Sequence, residues 1–371
     1  MNYSETLSSL QASGNLRTIP TGDSDQGVID LSSNDYLGIA ADSSITEEFM
    51  NTCPADSLRF SSSAARLLAA HQSEYSDLEN LLRRLYHRDI LIMNSGYHAN
   101  TGALSALADH RTLIVADKLV HASIIDGITL SKAPFERFRH NDMAHLDRIL
   151  AAKASGYDRV IVVTESVFSM DGDQADIEAL TELKKKYAGM MLYVDEAHAF
   201  GVLGEGGLGL CRNNPDIDII VGTFGKAAAS VGAFIAADSA IIRFLINRAR
   251  SFIFSTAIPP VNCAWTRFIV DRITGMDSRR DHLRRLGNTL SEILSAHTGR
   301  QCQASHIQPL IVGDANLAVN LSQRLRGDGF KVLPIRTPTV PPGTERLRFS
   351  LSASISQESL TGLDRALKRS I

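Results

Sequence analysis

Short apolar runs recur along the first two thirds of the chain, at residues 89–94, 113–116, 160–164, 191–195, 217–222 and 232–237. The gaps between them are long enough for crossover helices, which is the pattern of strands in a mainly parallel sheet buried on both faces. Residues 73–86, 143–153 and 176–187 carry helical apolar spacing. Asp176-Ile177-Glu178-Ala179 sets carboxylates in a first turn, where the helix dipole favours them. After Pro259-Pro260 the pattern changes. Long helices over 261–273 and 278–297 precede short strands at 307–312, 331–335 and 346–351, with a helix between them and another at the end. The chain therefore reads as a large α/β domain followed by a smaller α+β domain.

Composition narrows the classes. The 371 residues are 44% apolar and 21% charged, the balance of a globular protein with a sizeable core. The formal net charge is −3, and no block of five or six like charges occurs, so no nucleic-acid footprint is expected. No stretch reaches the length and apolarity of a membrane span, and no leader-like start is seen, so a cytoplasmic protein is expected. The four cysteines, Cys53, Cys211, Cys263 and Cys302, are scattered and read as free thiols. No His and carboxylate cluster at ligand spacing implies a metal.

In open parallel sheets, ligands bind beyond the carboxyl ends of the strands. One such end continues as Asn94-Ser95-Gly96-Tyr97-His98, where a glycine at a helix start can turn backbone N–H groups onto an anion. Another continues as Asp195-Glu196-Ala197-His198, and a third as Gly222-Thr223-Phe224-Gly225-Lys226. A lysine in a partly desolvated strand-end pocket becomes a usable amine nucleophile or base, which makes Lys226 the best candidate nucleophile. Taken singly, Asp195 reads as a helix cap, Gly96 as a turn and His198 as a structural histidine.

Two look-alikes fail. Asp195-Glu196-Ala197-His198 spells a helicase box, but Gly225-Lys226 has Ile220 at the first glycine position and Ala227 after the lysine, so no Walker loop accompanies it. Gly204-Glu205-Gly206-Gly207-Leu208-Gly209 fits a dinucleotide fingerprint by letters, yet a polar, proline-containing segment follows where a helix should start. It reads as a mobile glycine loop.

Taken in order, these segments resemble the α-oxoamine synthases, a family of fold-type-I pyridoxal-phosphate enzymes, from about Asn34 to the C-terminus. The matching segments are Ser33-Asn34-Asp35-Tyr36-Leu37-Gly38, Asn94-Ser95-Gly96-Tyr97-His98-Ala99-Asn100, Asp117-Lys118-Leu119-Val120-His121-Ala122-Ser123, Glu165-Ser166-Val167-Phe168-Ser169-Met170-Asp171-Gly172, Val194 to His198, and Thr223-Phe224-Gly225-Lys226. The resemblance implies a large domain, over 46–260, whose helix-flanked, mainly parallel sheet binds the cofactor. It also implies a small domain over 261–371 and an N-terminal segment, 1–45, that contributes to the substrate site.

The resemblance further implies pyridoxal 5'-phosphate as cofactor, bound to Lys226 as a Schiff base. Asp195 would pair with the pyridinium nitrogen, so that the ring can accept carbanion electrons. His121 would stack on the ring, and His198 and Ser169 would hydrogen-bond near the cofactor's phenolic oxygen and the substrate carboxylate. Gly96, Tyr97 and Thr223 would hold the phosphate, with Glu165 also in the cofactor site. Thr256 would reach the phosphate of the neighbouring subunit, which implies a homodimer with shared active sites. Arg346 and Arg348 alternate onto one strand face; by resemblance Arg348, with Asn34, grips the amino-acid carboxylate, while Arg346 is structural.

The implied reaction joins a small amino acid to an acyl thioester on CoA or a carrier protein, with loss of CO2. Within the family, residues 32–38, 167–173 and 340–351 point to the member that joins L-alanine to a pimeloyl thioester in biotin synthesis. Glycine C-acetyltransferase and the fold-type-I aminotransferases stay as alternatives. Two departures bear on the substrate. Ala229 stands where a glycine is expected, and residues 61–70 are poor in glycine; each added methyl narrows the backbone range and the nearby space.

Overall fold

The computed structural model describes residues 2–19, 27–53, 58–70 and 72–370. The chain forms two compact units. One comprises Met1–Gly38, Ser169–Asp173 and Ser278–Ile371, and the other Ile39–Phe168 and Gln174–Asp277. The helix Pro260–Ile273 belongs to the second unit, so this division falls after Asp277 rather than at residue 260.

The second unit is built on a seven-stranded sheet. Its strands lie side by side in the order Asp89–Met93, Ala233–Ala237, Ile219–Thr223, Met190–Asp195, Arg159–Glu165, Thr112–Asp117 and Phe135–Phe138. Ala233–Ala237 runs antiparallel to both neighbours, and every other pairing is parallel. The edge strand Phe135–Phe138 has no apolar run in the sequence. It lies half-exposed and buries only Phe138, so nothing requires it to be continuously apolar.

The inner strands are buried except at Arg159 and, in part, Met191, and Ile114, Ala116, Ile161, Val163, Tyr193 and Val221 share a core with Ala99, Ala103, Leu104, Ile124 and Ile128. Those last five come from the helices Gly96–Leu107 and Ala122–Ser131. Each helix starts directly after a strand. Ser95 caps the first by accepting from the His98 amide, and His121 caps the second by accepting from the Ser123 amide at 3.2 Å. Alternating strand, turn and helix gathers Asp117, Glu165, Asp195 and Thr223 at one edge of the sheet, with Glu165 and Asp195 opposite each other in register.

The first unit packs the helices Asp277–Thr298, Ala315–Gly327 and Gln357–Ser370 with an antiparallel sheet in the order Leu333–Ile335, Arg346–Ser350, Ile307–Ile311. Its N-terminal segment is tied in by the Ile29–Asp30 strand, which pairs with Phe330–Lys331, and by Leu31 O accepting from Ser350 N at 2.8 Å. Gly172, at φ 72, lies so close to Ile307 that a Cβ there would come within 1.9 Å of the Ile307 carbonyl oxygen. Only glycine fits this approach.

Two loops of the second unit are braced. The glycine loop that reads as mobile is held by Gly201 N to Gly207 O at 2.6 Å and Gly209 N to Leu203 O at 2.9 Å. Glu196 fastens its far end, accepting from Leu210 N at 2.6 Å and Cys211 N at 3.1 Å. The loop is therefore a fixed element, and its glycines serve close packing: a Cβ on Gly209 would sit 2.1 Å from Glu196 Oε2. The turn carrying Lys226 is closed by Phe224 N to Gly232 O and Ser230 N to Phe224 O, both at 2.9 Å. In it Ala229 is held at φ 47, a left-handed conformation that strains any residue with a Cβ.

Two outcomes follow from these braces. Burial pushes the Glu196 carboxyl up to about 7 from 4.5. Folding therefore takes up a proton between those values, and raising the pH through that window costs stability, by at most about 3 kcal/mol. Thermal melts of the apoprotein should show E196Q losing less stability than wild type from pH 4.5 to 7; parallel curves would contradict the assignment. A229G should raise the melting midpoint by about 1–2 °C through relief of backbone strain, less the added chain entropy of glycine. A lowered midpoint would show that Ala229 is unstrained.

Candidate active site

In the second unit, Lys226 and His198 meet with Nζ and Nε2 2.7 Å apart. Lys226 comes from the turn after Ile219–Thr223, and His198 from the turn that leaves the neighbouring strand Met190–Asp195. Asp195, at that strand's end, is 5% exposed and accepts from Ala197 N at 2.9 Å and from Asn100 Nδ2 at 2.7 Å. A buried carboxylate with two donors is held in a fixed orientation with both its oxygens hydrogen-bonded.

Glu165 occupies the equivalent place on the adjacent strand and accepts from the His121 amide. Burial first, and the negative Asp195 next, raise its carboxyl well above the usual range, which favours the neutral acid. Two carboxyls at neighbouring strand ends thus sit in unlike environments. His121 is solvent-accessible, yet desolvation by the surrounding protein pushes its pKa below the ordinary imidazole value; Asp195 opposes this and the Lys226 cation adds to it. Its Nδ1 receives Ser123 Oγ at 2.7 Å and Ser123 N at 3.2 Å, and Ser123 Oγ itself accepts from Asn100 Nδ2 at 2.9 Å. The hydroxyl proton is thereby directed to Nδ1, so the neutral ring carries its proton on Nε2.

Gly96 opens the helix Gly96–Leu107 against Thr223; a Cβ on it would lie 3.8 Å from Thr223 Oγ1. The first-turn amides, those of Gly96 and Tyr97 included, lack intrahelical partners and lie at the positive end of the dipole. The Tyr97 side chain turns outward and donates to Asp126. Asn94 donates to Ser255 Oγ at 3.1 Å and Thr256 O at 2.6 Å, which sets the exposed Thr256 beside this turn in its own chain.

In the first unit, Arg348 is 4% exposed and donates through Nε to Ser169 O at 2.6 Å and through Nη2 to Asn34 Oδ1 at 3.2 Å. Tyr36 OH donates to the same Asn34 oxygen at 3.0 Å, and burial pushes this phenol up to about 12. Arg346 pairs instead with Asp171. The predicted site residues therefore form two sets. Gly96, Tyr97, His121, Glu165, Asp195, His198, Thr223, Lys226 and Thr256 belong to the second unit; Asn34, Ser169 and Arg348 belong to the first.

Sequence reading missed Asn100, Ser123, Tyr193 and Tyr36 as participants. Asn100 follows Gly96 by one helical turn, and Tyr193 precedes Asp195 by two strand positions, so each shares a face with a predicted residue. That spacing was the available signal. Among the described residues no group of His, Cys, Asp and Glu could hold a metal, and no helix is long and apolar enough to cross a membrane.

The donor set suits pyridoxal phosphate. It offers an amine for the aldehyde, a buried carboxylate for the ring nitrogen, an exposed imidazole for the ring and a helix N-terminus for the phosphate. The family model for aminotransferase class I and II matches residues 26–367. A putative 8-amino-7-oxononanoate synthase of Pasteurella multocida is 46% identical over 366 residues, covering 95% of each chain. The 8-amino-7-oxononanoate synthase of Haemophilus ducreyi is 46% identical over 91% of this chain and 90% of that one.

Among solved structures, a serine palmitoyltransferase described with its pyridoxal-phosphate internal aldimine superposes with a TM-score of 0.86 at 27% identity, over 92% of this chain and 87% of that one. The 8-amino-7-oxononanoate synthase of Francisella tularensis gives 0.77 at 29% identity, over 93% and 99%. The chain belongs to the aminotransferase class I and II family, as a fold-type-I pyridoxal-phosphate enzyme of the α-oxoamine synthase branch, an acyltransferase.

Proposed function

We propose that this chain condenses L-alanine with a pimeloyl thioester, carried on CoA or an acyl carrier protein, to form 8-amino-7-oxononanoate, CO2 and the free thiol in biotin synthesis. The observation that carries the reading is the Lys226 to His198 contact at 2.7 Å, in a chain that runs with relatives named for that product over nearly its whole length. When bound, pyridoxal phosphate takes up the electron pair left on the amino acid's α-carbon as a proton or CO2 departs.

The chain's own groups have separate tasks. The Lys226 amine anchors the cofactor and, once released, removes the α-proton; His198 lies within reach to relay protons at Nζ. Asp195 keeps a proton on the ring nitrogen, and neutral His121 stacks on the ring without adding positive charge. The Gly96 and Tyr97 amides and the Thr223 hydroxyl hold phosphate. Glu165 fixes the start of the 121–123 segment through the His121 amide. Arg348, oriented by Ser169 O and Asn34 Oδ1, takes the alanine carboxylate.

The chain works as a homodimer in which Thr256 also serves the neighbouring subunit's phosphate. The exposed Phe254, two residues before it, and the exposed Leu130 and Phe244 line one cleft that supports a copy-to-copy contact.

Release of free thiol should appear with L-alanine plus pimeloyl-CoA or pimeloyl carrier protein, and not with glycine plus acetyl-CoA. Conversion of the cofactor to its pyridoxamine form by alanine, with no thiol released from any thioester, would overturn the reading in favour of an aminotransferase. R348K should raise KM for alanine about tenfold or more, because an ammonium cannot supply the two-pronged grip. An unchanged KM would remove Arg348 from the carboxylate site.

A further inference from the structure

We infer that Asn100 is a positioning residue that holds the Asp195 carboxylate in place and thereby sets the charge on the cofactor's ring; this rests on the reading of Asp195 as the partner of the ring nitrogen. Asn100 is fully buried on the helix Gly96–Leu107, and its amide is engaged at both ends. Oδ1 accepts from Tyr193 OH at 2.8 Å, while Nδ2 donates to Asp195 Oδ2 at 2.7 Å and Ser123 Oγ at 2.9 Å. Turning the amide over would set its oxygen against the carboxylate, so the amide has one acceptable orientation.

The partners come from three elements. Tyr193 lies on the Asp195 strand, Ser123 starts the helix that His121 caps, and Asn100 itself stands one turn beyond the phosphate-binding helix start. One side chain therefore couples phosphate turn, stacking histidine and ring-nitrogen carboxylate. Tyr193 and Ser123 are also wholly buried, so water cannot replace a missing link at no cost. Loss of the Asn100 donor leaves the Asp195 carboxylate with one donor fewer and free to turn. Whether the ring proton then moves toward Asp195 or the carboxylate charge becomes more concentrated, the ring becomes less positive. The Schiff base at Lys226 then holds its proton to higher pH.

The test is a pH titration of the visible band of the holoenzyme. Wild type should show the band and K226A should lack it, which examines the Lys226 reading by itself. N100A should bind cofactor and titrate about one pH unit higher than wild type, the size expected for one lost hydrogen bond to a charged group. Its kcat should fall at least tenfold while KM for the amino acid stays within a few-fold. Y193F is a gentler isosteric change that serves if N100A fails to fold; it should shift the titration in the same direction by a smaller amount. S123A leaves the Asn100 to Asp195 bond in place and should titrate close to wild type. Unshifted titrations in N100A and Y193F, or a shift in S123A as large as that in N100A, would overturn the inference.

Discussion

The second unit is organised around a negative charge held out of water. Asp195 ends a strand in the middle of the sheet, where an uncompensated carboxylate would cost several kcal/mol. The neighbouring elements therefore have to bring donors to it, and they do so through Ala197 N and Asn100 Nδ2. The helix that carries Asn100 also presents the amides of Gly96 and Tyr97, so the constraint that satisfies the carboxylate fixes the direction of these amides as well. Glu165, one strand away, meets the same burial with fewer donors, and its carboxyl is displaced toward the neutral form. One sheet edge thus holds two carboxyls in unlike surroundings, a common physical basis for dividing labour between them.

Much of this was legible along the chain. Continuous apolar runs mark the inner strands because burial on both faces leaves no alternation to read, and the polar residues just past each run are the ones that gather at the sheet edge. The strand Phe135–Phe138 stayed invisible since an edge strand needs no such run. The resemblance in the ordered segments supplied the cofactor and the family, which the family model and the relatives bear out. The supporting layer was harder to see. Asn100, Ser123 and Tyr193 are ordinary polar residues in helix, cap and strand, and their importance lies in hydrogen bonds between segments far apart in sequence.

Glycine usage carried more than the letters suggested. The loop around Gly204 to Gly209 reads as mobile, yet its glycines permit tight packing against Glu196 and the loop's own carbonyls. Conversely, both places where glycine is unexpectedly absent contain a residue forced into the left-handed region, Ser63 at φ 49 and Ala229 at φ 47. The fold keeps the backbone shape and bears the strain of a side chain there. Ala229 lies three residues from Lys226, with its carbonyl accepting from Trp265 Nε1 at 2.9 Å, so that strain sits beside the Lys226 amine in a turn that is otherwise well braced.

The proposed chemistry depends on Lys226 as the covalent attachment point of the cofactor. Loading the protein with pyridoxal phosphate, reducing it with borohydride and mapping its peptides by mass tests this directly. A single pyridoxyl adduct is expected, on the peptide containing Lys226. An adduct on a different lysine, or no adduct on a protein that has taken up the cofactor, would contradict it.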